Sequence, residues 1–269
     1  VDYQHHASEY GASWNFFLTL ATLRMLALLA PGALRSGGVA AAVGGGALAA
    51  HQWGLSAGGL IEVVHSDERS GGWLVANKEG LLSLPGYWAL QLLGTAAGHA
   101  AHRLATAAAA ATAAAQQAGS SRGGGLTIRL HAGQPPPRGP ALHLLAGLAS
   151  GVAALWLAYW LVAAGVQPVS RRACNAAYVL WMLALNLQCL LLFLAADIAL
   201  PGTPPRLLSA VSVAMMPLFL AANLLTGAVN LAFNTLAASR TAALALVTAY
   251  MASLCGGVVA IMERRAKRE

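Results

Sequence analysis

The residues best equipped for chemistry gather in four short polar islands. The first runs Tyr3-Gln4-His5-His6-Ala7-Ser8-Glu9-Tyr10-Gly11 and continues Ala12-Ser13-Trp14-Asn15-Phe16-Phe17. A histidine near a carboxylate, here His6 and Glu9, is a general-base arrangement: the carboxylate orients the ring and raises its basicity. A solvated interfacial loop with Tyr10 and Trp14 as belt aromatics is the structural alternative. Asn15 opens an apolar run, where a carboxamide needs a partner and often serves function.

The second island is Ala76-Asn77-Lys78-Glu79-Gly80, ahead of Ser83, Pro85, Gly86 and Tyr87. Asn77 or Ser83 is expected to cap the next helix, with Pro85 in its first turn. Lys78 and Glu79 read either as a solvated pair or as ligands of a substrate. The third island is Arg171-Arg172-Ala173-Cys174-Asn175. Two arginines before a helix suit a phosphate, through forked donors, free backbone amides and the helix dipole; snorkelling at the interface is the alternative. In the fourth, Asn223, Thr226 and Asn230 recur at helical spacing and share one face. Such a stripe lines a ligand cavity or bonds to neighbouring helices. Asn186 and Gln188 add interior polarity.

No cluster has metal-ligand spacing, and neither a phosphate-binding glycine motif nor a G-x-S-x-G elbow occurs. Cys189 and Cys255 lie in apolar runs and read as reduced packing residues.

The elements that must position these islands are membrane helices. Hydrophobic residues make up 58% of the 269-residue chain and charged residues 9%, against about 25% charged in soluble domains. The composition predicts an all-α polytopic transmembrane bundle. Strands are excluded because the alternation of a barrel is missing. Spans of about 20 residues fall at Trp14–Ala30, Gly38–Val64, Leu84–Leu104, Ala141–Val166, Asn175–Leu200, Leu207–Leu231 and Thr241–Met262, about seven in all. Gly54/Gly58 and Gly94/Gly98 have the spacing that lets helices approach closely. The net charge of +7 does not signal nucleic acid, because the basic residues sit at helix ends rather than in one patch.

Residues 105–140, an alanine run followed by Gly/Ser/Pro-rich sequence, are expected to form a flexible low-complexity loop, helical at most at its start. The chain begins at Val1 inside a polar island that reads as an inter-helix loop. Residues 1–269 are therefore expected to be the C-terminal transmembrane portion of a longer protein. With seven spans, Arg69, Lys78, Arg171, Arg172 and Arg240 fall on one side, five basic residues against ten on the other. The positive-inside rule then predicts a cytosolic C-terminus, with the first three islands on the opposite face.

Taken together the islands resemble the GPI inositol acyltransferase family, known as PIG-W in animals and GWT1 in fungi. Tyr3-Gln4-x-His6-x-x-Glu9-Tyr10-Gly11-x-x-Trp14-Asn15-Phe16-Phe17 is similar to that family's "YQ-x-H-x-x-EYG-x-HWNFF". Ala76–Gly80 with Gly86-Tyr87 is similar to "ANREG…GY", and Arg171-Arg172 through Asn175, Tyr178 and Trp181 to "RR-x-AN-x-PY-x-LW". Leu220 to Asn230 resembles "LLAN-x-x-TGLVN". Departures are Ala12-Ser13 before the tryptophan, Lys78 for arginine and Ala177 for proline.

The resemblance implies transfer of a fatty acyl group, usually palmitoyl, from acyl-CoA to an inositol hydroxyl of glucosaminyl-phosphatidylinositol in the endoplasmic reticulum membrane. Acyl-CoA is a co-substrate, and no cofactor or metal is expected. His6 and Glu9 are the expected catalytic residues. Asn15, Asn77, Lys78, Glu79, Arg171, Arg172, Asn175, Asn223 and Asn230 are the expected substrate ligands. Family members carry further upstream spans with catalytic acids and bases, so this portion is expected to be inactive alone. A multi-span lipid or solute transporter is the alternative function.

Overall fold

A computed structural model describes residues 11–29, 31–120, 138–200 and 206–266. Its secondary structure is helical, with no strand among the described residues. Among these helices, four are long and apolar enough to cross a membrane: Gly139–Gly165, Ala176–Ala199, Met215–Ala232 and Arg240–Arg264. A shorter apolar helix, α1, covers Phe16–Leu29. Their outward faces carry large apolar side chains such as Phe17, Leu161, Phe193 and Leu220, as a lipid-facing surface requires.

The chain divides into two units, 1–201 and 202–269. In the first, α1 is followed by α2 (Pro31–Arg35), α3 (Gly37–Ser56), α4 (Leu60–His65), α5 (Trp73–Ala76), α6 (Lys78–Ser120), α7 (Arg138–Gly165) and α8 (Ala176–Ala199). The expected second span is thus two helices. Gly59 adopts a left-handed φ of 67° between them, which glycine alone accepts cheaply.

Helix α6 starts at Lys78, six residues before the expected Leu84. Pro85 therefore lies inside the helix rather than in its first turn. The Ser83 hydroxyl donates to the Gly80 carbonyl at 3.0 Å instead of capping. At its far end α6 continues to Ser120, so the alanine run, composed of the strongest helix former, is the helical start that the low-complexity segment was read to allow, and it runs as far as Ser120. The expected Gly/Ser/Pro-rich stretch falls mostly in 121–137, outside the described residues.

The core joins α3, α6 and α8 through Leu48, Ala89, Tyr178, Val179 and Leu183. Close approach of α3 and α6 uses Gly44, where an added Cβ would lie 2.9 Å from Leu92 Cβ. The anticipated pair Gly94/Gly98 has nothing within 4 Å of an added Cβ. These two glycines instead line a groove of about 400 Å³ between α6 and α8, with Ala97, Leu187 and Asn186.

The second unit comprises α9 (Arg206–Val213), α10 (Met215–Ala232), a 3₁₀ turn (Thr235–Ala237) and α11 (Arg240–Ala266). The expected sixth span is therefore broken near Ala214. The Tyr250 hydroxyl of α11 sits 3.2 Å from the Ala222 carbonyl and 3.1 Å from the Thr226 hydroxyl of α10, a polar tie of the kind that holds membrane helices together.

Candidate functional site

Three of the sequence islands meet in the first unit, the second and third at one carboxylate and the first at Asn77, two residues before it. Glu79, in the first turn of α6, is fully buried. Arg69, from the loop after α4, donates to it in a fork, Nη1 to Oε2 at 2.7 Å and Nη2 to Oε1 at 2.6 Å. Arg172, from the turn before α8, donates Nη2 to Oε1 at 2.8 Å. Burial by itself pushes the Glu79 carboxyl up. The Arg69 and Arg172 guanidiniums outweigh it and hold the group below the usual carboxylate range. Three charges of this kind sum to +1. The Arg172 Nε is buried without an acceptor among the described residues. The knot is therefore cationic overall and retains donor capacity.

Asn77 stitches the first island to the second. It is fully buried; its Oδ1 accepts from Ser13 N at 2.8 Å and its Nδ2 donates to the Trp73 carbonyl at 2.9 Å. Ala12 N donates to the Ala76 carbonyl at 2.9 Å. Gly11 makes this approach possible: its φ is 125°, and an added Cβ would lie 2.6 Å from Asn77 Cα. Trp14 completes the contact. Its ring packs 6.1 Å from that of Trp73, and its Nε1 donates to the buried Thr19 hydroxyl at 2.9 Å. Asn15 is exposed and caps α1, its Oδ1 accepting from Leu18 N at 2.9 Å.

Asn175 holds the third island. Its Oδ1 accepts from Ser170 N and Tyr178 N, each at 3.1 Å. Its Nδ2 donates to the Pro168 carbonyl at 2.8 Å and to Gln167 Oε1 at 3.2 Å. This uses both donors and two acceptor sites of the amide. The next amide, Ala176 N, donates to Gln52 Oε1 at 2.8 Å. Two of the backbone donors expected to await a phosphate at this helix start, Ala176 N and Tyr178 N, are thus engaged by protein, and α3 supplies one of the partners. His51, one residue earlier on α3, donates Nε2 to the Ala173 carbonyl at 2.9 Å.

Cys174 closes the turn with a positive φ of 47°. Its carbonyl lies so close to α6 that a Cβ on Gly86 would sit 2.1 Å away. Burial pushes the Cys174 thiol up, out of the range of a nucleophilic thiolate.

Lys78 is buried beside Glu79, but turns to the preceding loop. Its Nζ donates to the Ser66 hydroxyl at 2.6 Å and to the Glu68 carbonyl at 2.7 Å. Arg171 is exposed at the surface of the same turn as Arg172. Asn77, Lys78, Glu79, Arg172 and Asn175 are therefore brought together, with Arg171 at the edge and Asn15 linked through Ser13. His6 and Glu9 lie outside the described residues. Asn223 and Asn230 belong to the second unit. Asn223 Nδ2 donates to the Phe219 carbonyl at 2.8 Å, and Asn230 Oδ1 accepts from the Thr235 hydroxyl at 3.3 Å. No group of three or more potential metal ligands occurs among the described residues.

Comparison with known proteins matches the GWT1 family over residues 1–261. The chain belongs to the GWT1 family. Similar proteins include an uncharacterized protein of Arabidopsis thaliana, 33% identical over 255 residues, covering 94% of this chain and 51% of that protein. GPI-anchored wall transfer protein 1 of Cryptococcus neoformans is 34% identical over 286 residues, covering 96% of this chain and 43% of its own length. The Candida albicans protein of the same name is 28% identical over 259 residues, covering 93% and 51%. The chain thus spans about half the length of the curated relatives it matches. Family membership and the four long apolar helices together make this chain part of a membrane protein.

Sequence reasoning missed Arg69, Gln52 and His51 as architects of this site. Arg69 carries no periodic signal, since it lies in a short charged loop. His51-Gln52 was the better clue: adjacent polar residues in an apolar glycine-rich run must bond inward, and both are buried here.

Proposed function

We propose that the whole protein to which this chain belongs moves a fatty acyl group from acyl-CoA to an inositol hydroxyl of glucosaminyl-phosphatidylinositol. The setting is the endoplasmic reticulum membrane, with the first three islands facing the lumen and the C-terminus the cytosol. The reading rests on the GWT1 match and the relatives named GPI-anchored wall transfer protein 1. The geometric observation that carries it is the convergence of islands 64 to 93 residues apart in sequence on Asn77 and Glu79.

In this reading the inositol oxygen attacks the thioester carbonyl carbon. The new C–O bond forms as the C–S bond breaks, the hydroxyl proton passes to a base, and coenzyme A leaves as the thiol. General-base assistance contributes roughly 10²–10⁴-fold in such steps. His6 and Glu9 position the reacting hydroxyl or assist the base that takes its proton. Arg171, with the +1 knot of Arg69, Glu79 and Arg172 behind it, attracts the lipid phosphate. Asn15 contacts the sugar hydroxyls or the reacting carbonyl. Asn77 and Asn175 have their amide groups bonded to protein, and act by positioning the islands. Lys78 acts from the loop it pins. The groove between α6 and α8 suits an alkyl chain: Gly94, Ala97 and Gly98 leave room, and each buried methylene gains about 0.8 kcal/mol.

The test is a transfer assay with radiolabelled palmitoyl-CoA and glucosaminyl-phosphatidylinositol, using the full-length protein in lipid nanodiscs. Label covalently attached to the glycolipid is the expected result. Lipid or solute movement without a new ester would overturn the assignment and favour transport.

A further inference from the structure

A second cavity, distinct from the α6–α8 groove, borders the loop that carries Arg69. It measures about 600 Å³, within the range of ligand sites of about 300–1,000 Å³, and is formed by α4, the loop after it, α5 and the start of α6. Val63, Leu74, Val75 and Leu82 supply apolar walls. Its polar members Ser66, Glu68 and Lys78 are bonded to one another through the Lys78 ammonium, so they gather at one place.

Lys78 is only 4% exposed. An ammonium has three donors, and two are used, on Ser66 Oγ and the Glu68 carbonyl. Among the described residues no carboxylate pairs with it. The Glu68 carboxylate turns instead to the Ser70 amide and hydroxyl. A buried cation with a spare hydrogen, lining an otherwise greasy cavity, asks for an acceptor that arrives attached to apolar matter. Glu62 and Glu68 border the same cavity. Their negative charge disfavours an anionic head and favours a neutral acceptor. Val63 and Leu74 of its lining are exposed, as is Trp73 next to Leu74 in sequence, and exposed aromatic and apolar residues of this kind are found at the level of lipid headgroups.

We propose that this cavity holds one acyl chain of a neutral glycerophospholipid from the surrounding bilayer, with its ester carbonyl accepting the third hydrogen of Lys78. The bound lipid seals the loop that carries Arg69 to Glu79. The proposal does not depend on the acyl-transfer reading, because it concerns a resident lipid rather than a substrate.

The experiment is photolabelling of the full-length protein in phosphatidylcholine nanodiscs doped with phosphatidylcholine bearing a diazirine on its acyl chain. Labelled peptides are then mapped by mass spectrometry. The expected result is label on residues 62–82, reduced about tenfold by Lys78→Met, the loss of one charged hydrogen bond. Val63→Trp, at an exposed wall position, is expected to block the cavity and reduce label similarly. This second variant keeps the test intact if Lys78→Met fails to fold. Label spread over the apolar helices with none enriched at 62–82 would overturn the proposal. So would labelling that Val63→Trp leaves unchanged, or labelling displaced by stoichiometric glucosaminyl-phosphatidylinositol, which would make the cavity a substrate site.

Discussion

Arg172 Nη2 donates to Glu79 Oε1 at 2.8 Å across 93 residues of sequence. This single contact ties the turn before α8 to the first turn of α6. Arg69 reaches the same carboxylate from a third segment. Glu79 is completely buried, while both arginines keep about a quarter of their side chains exposed, 28% and 22%. The carboxylate is thus the dependent partner. It needs the two guanidiniums more than either needs it.

Glu79→Gln removes the charge but keeps the shape, leaving two partly buried guanidiniums facing each other. Breaking such a pair typically costs about 3–5 kcal/mol, and the partial exposure of the arginines places the expectation near about 3 kcal/mol. Thermal unfolding of the full-length protein in detergent should show a marked fall in Tm. An unchanged Tm would mean that the knot contributes nothing to the fold.

The same carboxylate sets an acid limit. Its folded pKa lies below its unfolded value, so its contribution is complete above the ordinary carboxylate range and is lost as pH falls through the folded value. Stability measured from neutral pH downward should hold as far as the ordinary carboxylate range and then fall progressively until the pH lies below the folded value. Glu79→Gln should flatten that part of the profile.

Gly86→Ala tests the approach of α6 to the third island. The new methyl would lie 2.1 Å from the Cys174 carbonyl oxygen, a backbone atom that cannot rotate away. Overpacking of this kind costs about 1–3 kcal/mol or more. Gly94→Ala, which meets nothing within 4 Å, is the matched control and should leave stability unchanged or raise it by about 0.5–1 kcal/mol.

Asn175→Ala removes the cap of α8 and strands Ser170 N, Tyr178 N and the acceptors at Pro168 and Gln167. A lost cap alone costs about 1 kcal/mol, and stranded buried groups add about 1–3 kcal/mol. Asn175→Asp keeps the two accepted bonds and should recover part of the loss in the same unfolding measurement.

The helical class and the partners in the site were legible because they rest on composition and local wording. Charged residues at 9% exclude a soluble fold, and islands such as Ala76–Gly80 stand out against apolar flanks. The hub was less legible, because pairing across 93 residues leaves no periodic trace. Helix ends were misplaced where side chains did unexpected work. Asn77, read as a possible cap, does stand directly before α6, but its side-chain oxygen goes to Ser13 N and not to the helix. Ser83 bonds within the helix it was expected to begin. Gly94 and Gly98 had the spacing of a helix contact but line a groove instead, since spacing says which residues share a face and not what that face meets.

The most direct measurement is acyl transfer by the full-length protein carrying Glu9→Gln or Arg171→Ala, each checked first for a parental Tm. The account predicts that Glu9→Gln lowers kcat by about 10²-fold or more. It also predicts that Arg171→Ala raises KM for the glycolipid about tenfold, through one lost phosphate contact. Parental kcat and KM in both variants would contradict it, by removing the first and third islands from the reaction.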